Sequence, residues 1–222
     1  MHLFLEWISR RKLILVGGIV MTTCVLITFY PATKLGFFLD DWWQVANAGR
    51  MNLPQYLRFV FDPAVQTLFY RPVFSLWLFV EYPFYGSNAE SYHVMRSLLQ
   101  AADGLLFFAI VYQVSRNLRL GLVSGILFVV LFPGSTAVYG ISMPDPLSVF
   151  FSLMTLLFWV DYLNSERRWY FGATALSFAL ALLTKETNIG LILTVFLTDR
   201  LLMPRRIGSQ RLLLQYGILG LI

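Results

Sequence analysis

Long runs of apolar residues alternate with short basic clusters along the whole chain. Such runs, with few charges, are typical of helices that cross a bilayer, which takes about 20 residues per crossing. They cover residues 13–30, 93–114, 120–132 (with a possible extension to Tyr139), 147–163, 169–183 and 188–203, and a seventh begins at Leu212 and continues to Ile222. The pattern predicts an all-α, polytopic transmembrane bundle with about six spans and the start of a seventh.

The segment between the first two apolar runs, residues 31–92, has a different pattern. Charged residues recur at short intervals, and its apolar pieces are interrupted by Pro54, Pro63, Pro72 and Pro83. Because proline ends or kinks helices, short amphipathic helices lying along the membrane surface fit this segment better than further spans. We therefore expect one transmembrane domain over residues 1–222, with residues 31–92 as a long loop that contains juxtamembrane helices.

Composition supports this class and excludes others. The 222 residues are 58% hydrophobic and only 13% charged, with a mean hydropathy of +0.67, whereas soluble domains are about half apolar and a quarter charged. The net charge of +5 does not indicate a nucleic-acid partner, because the basic residues fall in short clusters between apolar runs. The only cysteine is Cys24, so an intrachain disulfide is excluded.

The basic clusters also predict an orientation. If the N-terminus is cytoplasmic, the clusters at 10–12, 116–119, 167–168 and 205–211 all lie inside, as the positive-inside rule requires. The long loop and two later turns then lie outside. Most of the polar residues that packing does not explain gather near that outer surface: Asp40, Asp41, Arg71, His93, Arg96, Asp145, Lys185 and Glu186.

The acid pair Asp40 and Asp41 lies in an aromatic segment at the membrane edge, residues 37–43. One interpretation is a hydrated turn flanked by interfacial tryptophans. The other interpretation is a functional site. An acid near hydrocarbon costs free energy, so a pair at this position suggests that it acts on a proton, a cation or a sugar. A carboxylate can take a proton from an acceptor hydroxyl, and arginine or lysine can hold a phosphate. A lipid-linked phosphosugar suits both groups, and its phosphate leaves without a general acid.

A series of short motifs carries a family resemblance. The chain resembles the GT-C glycosyltransferases, and it is most similar to the protein O-mannosyltransferase and aminoarabinose transferase branch and to the transmembrane TPR-containing mannosyltransferases. The resemblance covers about residues 10–205. Its motifs, in order, are one span, the outer Asp40-Asp41, Tyr70-Arg71-Pro72, Tyr92-His93, the outer acid Asp145, and Leu182-Leu183-Thr184-Lys185-Glu186.

The resemblance implies transfer of a hexose or pentose from a polyprenyl-phosphate donor to a protein, lipid or glycan acceptor on the non-cytoplasmic face. It implies that Asp40 is the base and that Asp41 orients a substrate. Arg71, beside Tyr70, would meet the donor phosphate. The remaining substrate-binding candidates are His93, Arg96, Asp145, Lys185 and Glu186.

The resemblance also bears on cofactors and location. A divalent ion could bind at Asp40, Asp41 or Asp145, but the branch does not require one, so no cofactor is expected. The expected partners are the lipid-linked donor, the acceptor and membrane lipids. The expected location is the bacterial inner membrane with the site facing outward, or the endoplasmic reticulum in a eukaryote.

The chain departs from the family in two respects. Relatives often carry an asparagine and a second histidine after the Tyr-His pair, where this chain has Arg96 and Gln100, which weakens the assignment of His93. Relatives also continue through further helices, so we expect this chain to hold the shared core without the C-terminal part.

Two alternative functions remain open from the sequence. A transporter or flippase of lipid-linked sugars could use the same charged lining, although such proteins often have an internal repeat that is not visible here. The other alternative is a non-catalytic assembly subunit.

Three residues also have simpler interpretations. Arg71 could extend from an interfacial helix towards water without binding anything. Asp103, in the middle of the second span, is expected to pair with an arginine or a backbone group of a neighbouring helix. Lys185 and Glu186 are adjacent and can pair with each other only loosely. We therefore expect each of them to have a separate partner elsewhere in the chain.

Overall fold

The computed structural model describes residues 2–62, 64, 69–131, 138–202 and 209–220. The regular structure in these residues is helical, with no strand among them. The helices are α1 (His2–Phe29), α2 (Asp41–Arg50), α3 (Leu53–Phe61), α4 (Pro72–Tyr85), α5 (Ala89–Ser115), α6 (Leu118–Leu131), α7 (Asp145–Ser165), α8 (Arg168–Thr184), α9 (Leu191–Leu197) and α10 (Ser209–Gly220). Short 3-10 helices cover Tyr30–Lys34 and Glu186–Gly190, and a π-helical turn covers Thr198–Leu202.

The predicted all-α membrane bundle is confirmed. Among the described residues, three helical segments are long and apolar enough to cross a membrane, namely Ile14–Lys34, Ala89–Ser115 and Asp145–Ser165. Two further apolar helices, α6 with 14 residues and α8 with 17, are shorter than the length of about 20 residues that a full crossing takes. Residues 132–137, at the end of the predicted third span, lie outside the described residues, as do residues 203–208, which include the end of the predicted sixth span and part of the basic cluster at 205–211.

Helix α5 is the central helix of the bundle and packs against α1, α6 and α7, while α7 packs in turn against α8. Glycines make the α5–α6 contact close. A Cβ atom at Gly104 would overlap the Val129 side chain, and one at Gly125 would lie 3.0 Å from the Gly104 carbonyl oxygen. Small residues at this contact thus let the two helix backbones approach closely.

Three short helices, α2, α3 and α4, lie between α1 and α5, in the segment where the sequence predicts short helices instead of further spans. Helix α3 starts with a capping box, in which the Asn52 and Gln55 side chains each accept from the other's backbone N–H. Its Tyr56 and Val60 are buried, whereas the apolar side chains on its other side, Leu53, Leu57 and Phe61, are exposed. An exposed apolar face on a helix outside the spans suits a position in the membrane interface.

Two predicted boundaries in this loop are wrong. Pro83 does not interrupt an apolar piece but lies inside the last turn of α4, where it removes one helical hydrogen bond shortly before the helix ends at Tyr85. The chain then turns at Gly86, whose φ of +54° suits glycine. Helix α5 already begins at Ala89, so the loop is shorter than the predicted 31–92.

Candidate functional site

The turn that precedes α2 leaves Asp40 exposed at the protein surface. Its backbone is closed by a hydrogen bond of 3.0 Å from the Asp41 N–H to the Phe38 carbonyl, and Leu39 adopts a φ of +48°. Left-handed backbone is rare for a bulky side chain, and such strain is concentrated at functional sites. The Asp40 side chain is exposed, makes no capping bond to α2, and has no hydrogen-bond partner among the described residues. Its carboxylate is therefore available to a ligand.

The neighbouring Asp41 is in the opposite situation, since its side chain is buried. One carboxylate oxygen accepts from the Phe38 N–H at 3.0 Å and the other from the Ser142 N–H at 2.6 Å. These bonds close the turn and attach it to the segment that leads into α7. The structure thus separates the two acids of the predicted pair into one that is free and one that holds backbone.

Helix α5 holds the same segment from the other side. His93 Nδ1 donates to the Val138 carbonyl at 3.1 Å, and Arg96 Nε donates to the Ile141 carbonyl at 3.4 Å. The two Nη atoms of Arg96 donate to the carboxylate of Glu81 at 2.7 and 2.8 Å, and both side chains are buried. His93 and Arg96, predicted to contact substrate, are thus enclosed and hold the segment that binds Asp41.

The outer turn after α8 carries two ion pairs. Lys185 Nζ lies 2.6 Å from Asp145 Oδ1, which is in the first turn of α7. Arg71, the residue before α4, donates from Nε and Nη2 to the two carboxylate oxygens of Glu186, at 3.1 and 2.9 Å. Lys185 and Glu186 therefore have separate partners, as predicted from their adjacency. The hydrogen bond from Arg71 is the main reason why the pKa of the Glu186 carboxyl is lowered from its ordinary value.

The Arg71 side chain is held on two sides rather than extended freely into water. Its guanidinium lies 4.2 Å from the centre of the Phe69 ring, in a cation–π contact, while Glu186 binds one edge. Arg71 Nη1 has no partner among the described residues. The neighbouring Tyr70 is exposed, so its ring could contact a ligand bound at the open edge of the guanidinium.

Two groups of supporting residues are not among the sequence predictions. Glu81 is an acid in an apolar helix, where an acid usually needs a partner. That position was the sequence signal that could have identified it. The second group fixes the turn that carries Lys185 and Glu186. Asn188 Nδ2 donates to Ser148 Oγ at 2.8 Å, and Asn188 Oδ1 accepts from Ser152 Oγ at 3.1 Å. Ser148 and Ser152 are four residues apart on one face of α7, which was the signal for this group.

The expected pairing of Asp103 is wrong. Asp103 is completely buried, yet neither of its oxygens has a hydrogen-bond partner among the described residues. Gln100, one turn earlier on the same helix, also has an unpartnered amide nitrogen. Arg96, two turns earlier on the same helix, is bound to Glu81 instead. In the described part of the chain, no group of three His, Cys, Asp or Glu side chains is arranged to hold a metal ion.

Comparison with known proteins identifies a family. The sequence pattern of the dolichyl-phosphate-mannose-protein mannosyltransferase family matches residues 90–222, which is more than half of the chain. The match includes α5, the Asp145 turn and the Lys185-Glu186 turn, whereas Asp40, Asp41, Tyr70 and Arg71 precede it. No curated protein and no solved structure matches the chain.

Proposed function

Since the chain belongs to the dolichyl-phosphate-mannose-protein mannosyltransferase family of GT-C-type membrane glycosyltransferases, we propose that it transfers a sugar from a polyprenyl-phosphate donor. The acceptor would be a protein hydroxyl, a lipid or a glycan on the non-cytoplasmic face. One observation carries this proposal. Three polar contacts, joined by short stretches of chain, link the exposed Asp40 carboxylate to Arg71, whose Nη1 has no partner among the described residues.

The network can be followed step by step. Asp40 adjoins Asp41, which binds the Ser142 backbone three residues before Asp145. Asp145 binds Lys185, and the adjacent Glu186 binds Arg71. The proposed base, Asp40, and the proposed phosphate-binding side chain, Arg71, are thus attached to one scaffold. Catalysis of transfer needs these two groups in fixed positions relative to each other.

In the proposed reaction, the Nη1 edge of Arg71 binds the donor phosphate. Asp40 accepts the proton of the acceptor hydroxyl while the acceptor oxygen forms its bond to the anomeric carbon of the sugar. The bond between that carbon and the phosphate oxygen breaks, and its electron pair leaves with the polyprenyl phosphate. Arg71 stabilises the charge that develops there, so the step needs no general acid.

The other predicted residues act as supports in this proposal. Asp41, His93 and Arg96 hold the turn and the segment beneath Asp40, and Lys185 with Asp145 fixes the second outer turn. Tyr70 is the side chain beside Arg71 that we assign to contact with the donor.

The exposed aromatic and apolar side chains near Asp40 suit a lipid-linked donor. Phe38, Leu39, Trp42 and Trp43 are all exposed around the acid turn, and tryptophans of this kind lie at the headgroup level of a bilayer. The site would then lie where the polyprenyl chain remains in the hydrocarbon while the sugar phosphate reaches water. We assign this surface to the non-cytoplasmic side of a bacterial inner membrane or of the endoplasmic reticulum.

Reconstitution of the full chain into liposomes with radiolabelled dolichyl phosphate mannose tests the proposal. We expect labelled mannose to be transferred to acceptors in a membrane extract. Movement of intact donor across the bilayer without product would instead indicate a flippase, and binding with neither outcome would indicate a non-catalytic subunit.

The proposed face of the membrane has its own test. Reporter fusions after Arg116 or Arg168 should be cytoplasmic, and a reporter inserted at Ser87 should be outside. A cytoplasmic reporter at Ser87 would place Asp40 on the wrong side for this proposal.

A further inference from the structure

The guanidinium of Arg71 is paired with Glu186 on one edge, and its Nη1 has no partner among the described residues. A guanidinium has five N–H groups in one plane, and Glu186 takes one from Nε and one from Nη2. Both N–H groups of Nη1 and the second one of Nη2 remain for a ligand. A phosphate can bind at that edge while Glu186 stays in place, so the ligand meets an arginine whose positive charge is already balanced.

The charge of the bound phosphate changes during the proposed reaction. The donor is a phosphodiester with one negative charge. When the acceptor oxygen bonds to the anomeric carbon, the electron pair of the broken bond stays on the phosphate and the acceptor proton goes to Asp40. The product is therefore a phosphate monoester, whose second ionisation has a pKa of about 6, so it carries nearly two charges at neutral pH.

An arginine without Glu186 would bind this product more tightly than the donor, because attraction grows with the charge of the anion. A carboxylate on the neighbouring edge of the same guanidinium repels the anion, and that repulsion grows with charge in the same way. We propose that Glu186 makes the Arg71 site favour the singly charged donor over the doubly charged product, and so promotes product release. This inference rests on the proposed assignment of the donor phosphate to Arg71.

The surroundings of Glu186 support a charge-based role. The charged groups next to it are Arg71, before α4, and Lys185, which is held by Asp145 of α7. Because the hydrogen bond from Arg71 lowers the pKa of Glu186, Glu186 keeps its charge over the pH range in which the product gains its second charge. Half of the Glu186 side chain is exposed, so solvent screens the repulsion and its effect is modest.

Equilibrium binding to the full chain in nanodiscs tests the inference without an acceptor. The probe is radiolabelled dolichyl phosphate mannose, and dolichyl phosphate is the competitor. At neutral pH, we expect Glu186→Gln to increase product affinity relative to donor affinity by about two- to fivefold, the range of screened surface charge pairs. The increase should disappear at a pH below about 6, where the product carries one charge like the donor.

Three variants separate the possible outcomes. Glu90→Gln removes the acid of the exposed Lys34–Glu90 pair and should leave the ratio of affinities unchanged. Glu186→Ser removes the same charge as Glu186→Gln. It serves as the test variant if the Glu186→Gln protein does not insert into the membrane. Arg71→Ala should weaken both ligands.

An unchanged ratio in the Glu186 variants, with weak binding by Arg71→Ala, would overturn this inference and leave the proposed function standing. A changed ratio that persists at acidic pH would also overturn it, since charge would not be the cause. Unchanged binding by Arg71→Ala would remove the phosphate site itself, and with it the donor-binding part of the proposed function.

Discussion

Two arginine–glutamate pairs with the same bidentate geometry lie in opposite surroundings. Arg96 and Glu81 join α5 to α4, with side chains 1% and 5% exposed, and Arg96 also donates to the backbone before α7. Arg71 and Glu186 join the start of α4 to the turn after α8, with side chains 19% and 52% exposed. The first pair is enclosed, whereas the second is more exposed and leaves Arg71 Nη1 without a partner among the described residues.

The difference shows that burial, rather than residue type, separates a structural ion pair from a candidate binding site. Buried ions lose their hydration, so Arg96 and Glu81, the inner pair, each depend on the other to offset that cost. Arg71 and Glu186, the outer pair, are more exposed to solvent and depend on each other much less. The outer arginine can therefore bind a phosphate, and the inner one cannot without losing its partner.

Removal of the inner arginine should have the largest effect on stability. Arg96→Ala leaves Glu81 buried without a partner, and we expect the free energy of unfolding to fall by about 3–5 kcal/mol. Thermal unfolding in detergent micelles measures the change. The double variant Arg96→Met with Glu81→Leu is the control, since replacing both ions by apolar side chains is often neutral. Equal losses in the single and double variants would contradict the account.

Removal of the outer arginine should affect binding rather than stability. Arg71→Ala loses charge-assisted hydrogen bonds to the donor phosphate, and we expect donor affinity to weaken by about 1.5–3 kcal/mol. The unfolding temperature should change little, because exposed pairs contribute only about 0–1 kcal/mol. Normal affinity for dolichyl phosphate mannose would return Arg71 to the role of an interfacial side chain with no ligand.

Asp103 tests the role of partners within the bundle, because it is as buried as Arg96 but has no partner among the described residues. An unsatisfied buried polar group costs about 1–3 kcal/mol. Asp103→Leu, which keeps the branched shape of the side chain without its polar atoms, should raise the free energy of unfolding by about that amount. Asp103→Asn keeps a polar group at the site and should raise it less. A loss of stability in Asp103→Leu would indicate a partner for Asp103 in the membrane-embedded protein.

The smallest predicted effect is the pH dependence of the outer pair. The pKa of Glu186 is lower in the folded protein than its ordinary value of 4.5. Its contribution to stability is therefore present above that value and is lost as the pH falls through the lowered one. Solvent screening keeps the contribution below about 1 kcal/mol. Wild-type and Glu186→Gln proteins should differ slightly in unfolding temperature near neutral pH and converge in acid. A difference that grows in acid would have the wrong sign.

The fold was largely predictable from the sequence, whereas the division of labour within the site was not. Apolar runs and basic clusters indicated the helices because each signal is local. The contrast between Asp40 and Asp41 depends on the Ser142 backbone, 101 residues away along the chain. The partner of Glu186 is 115 residues away. Local pattern placed these residues near one surface but could not indicate which carboxylates would be bound and which would stay free.

The central claim is that Asp40 acts as the base while Asp41 holds its turn, and one experiment tests it directly. Single-turnover transfer from synthetic dolichyl phosphate mannose is measured for wild-type, Asp40→Asn and Asp41→Asn proteins, at matched folded concentrations. Asp40→Asn keeps the size of the side chain but cannot accept the proton, so transfer should slow by about 100- to 10,000-fold with donor affinity retained. Asp41→Asn should have a milder effect on transfer and a larger one on stability. Near-normal transfer by Asp40→Asn would contradict the account and leave the acid turn as a feature of the membrane interface.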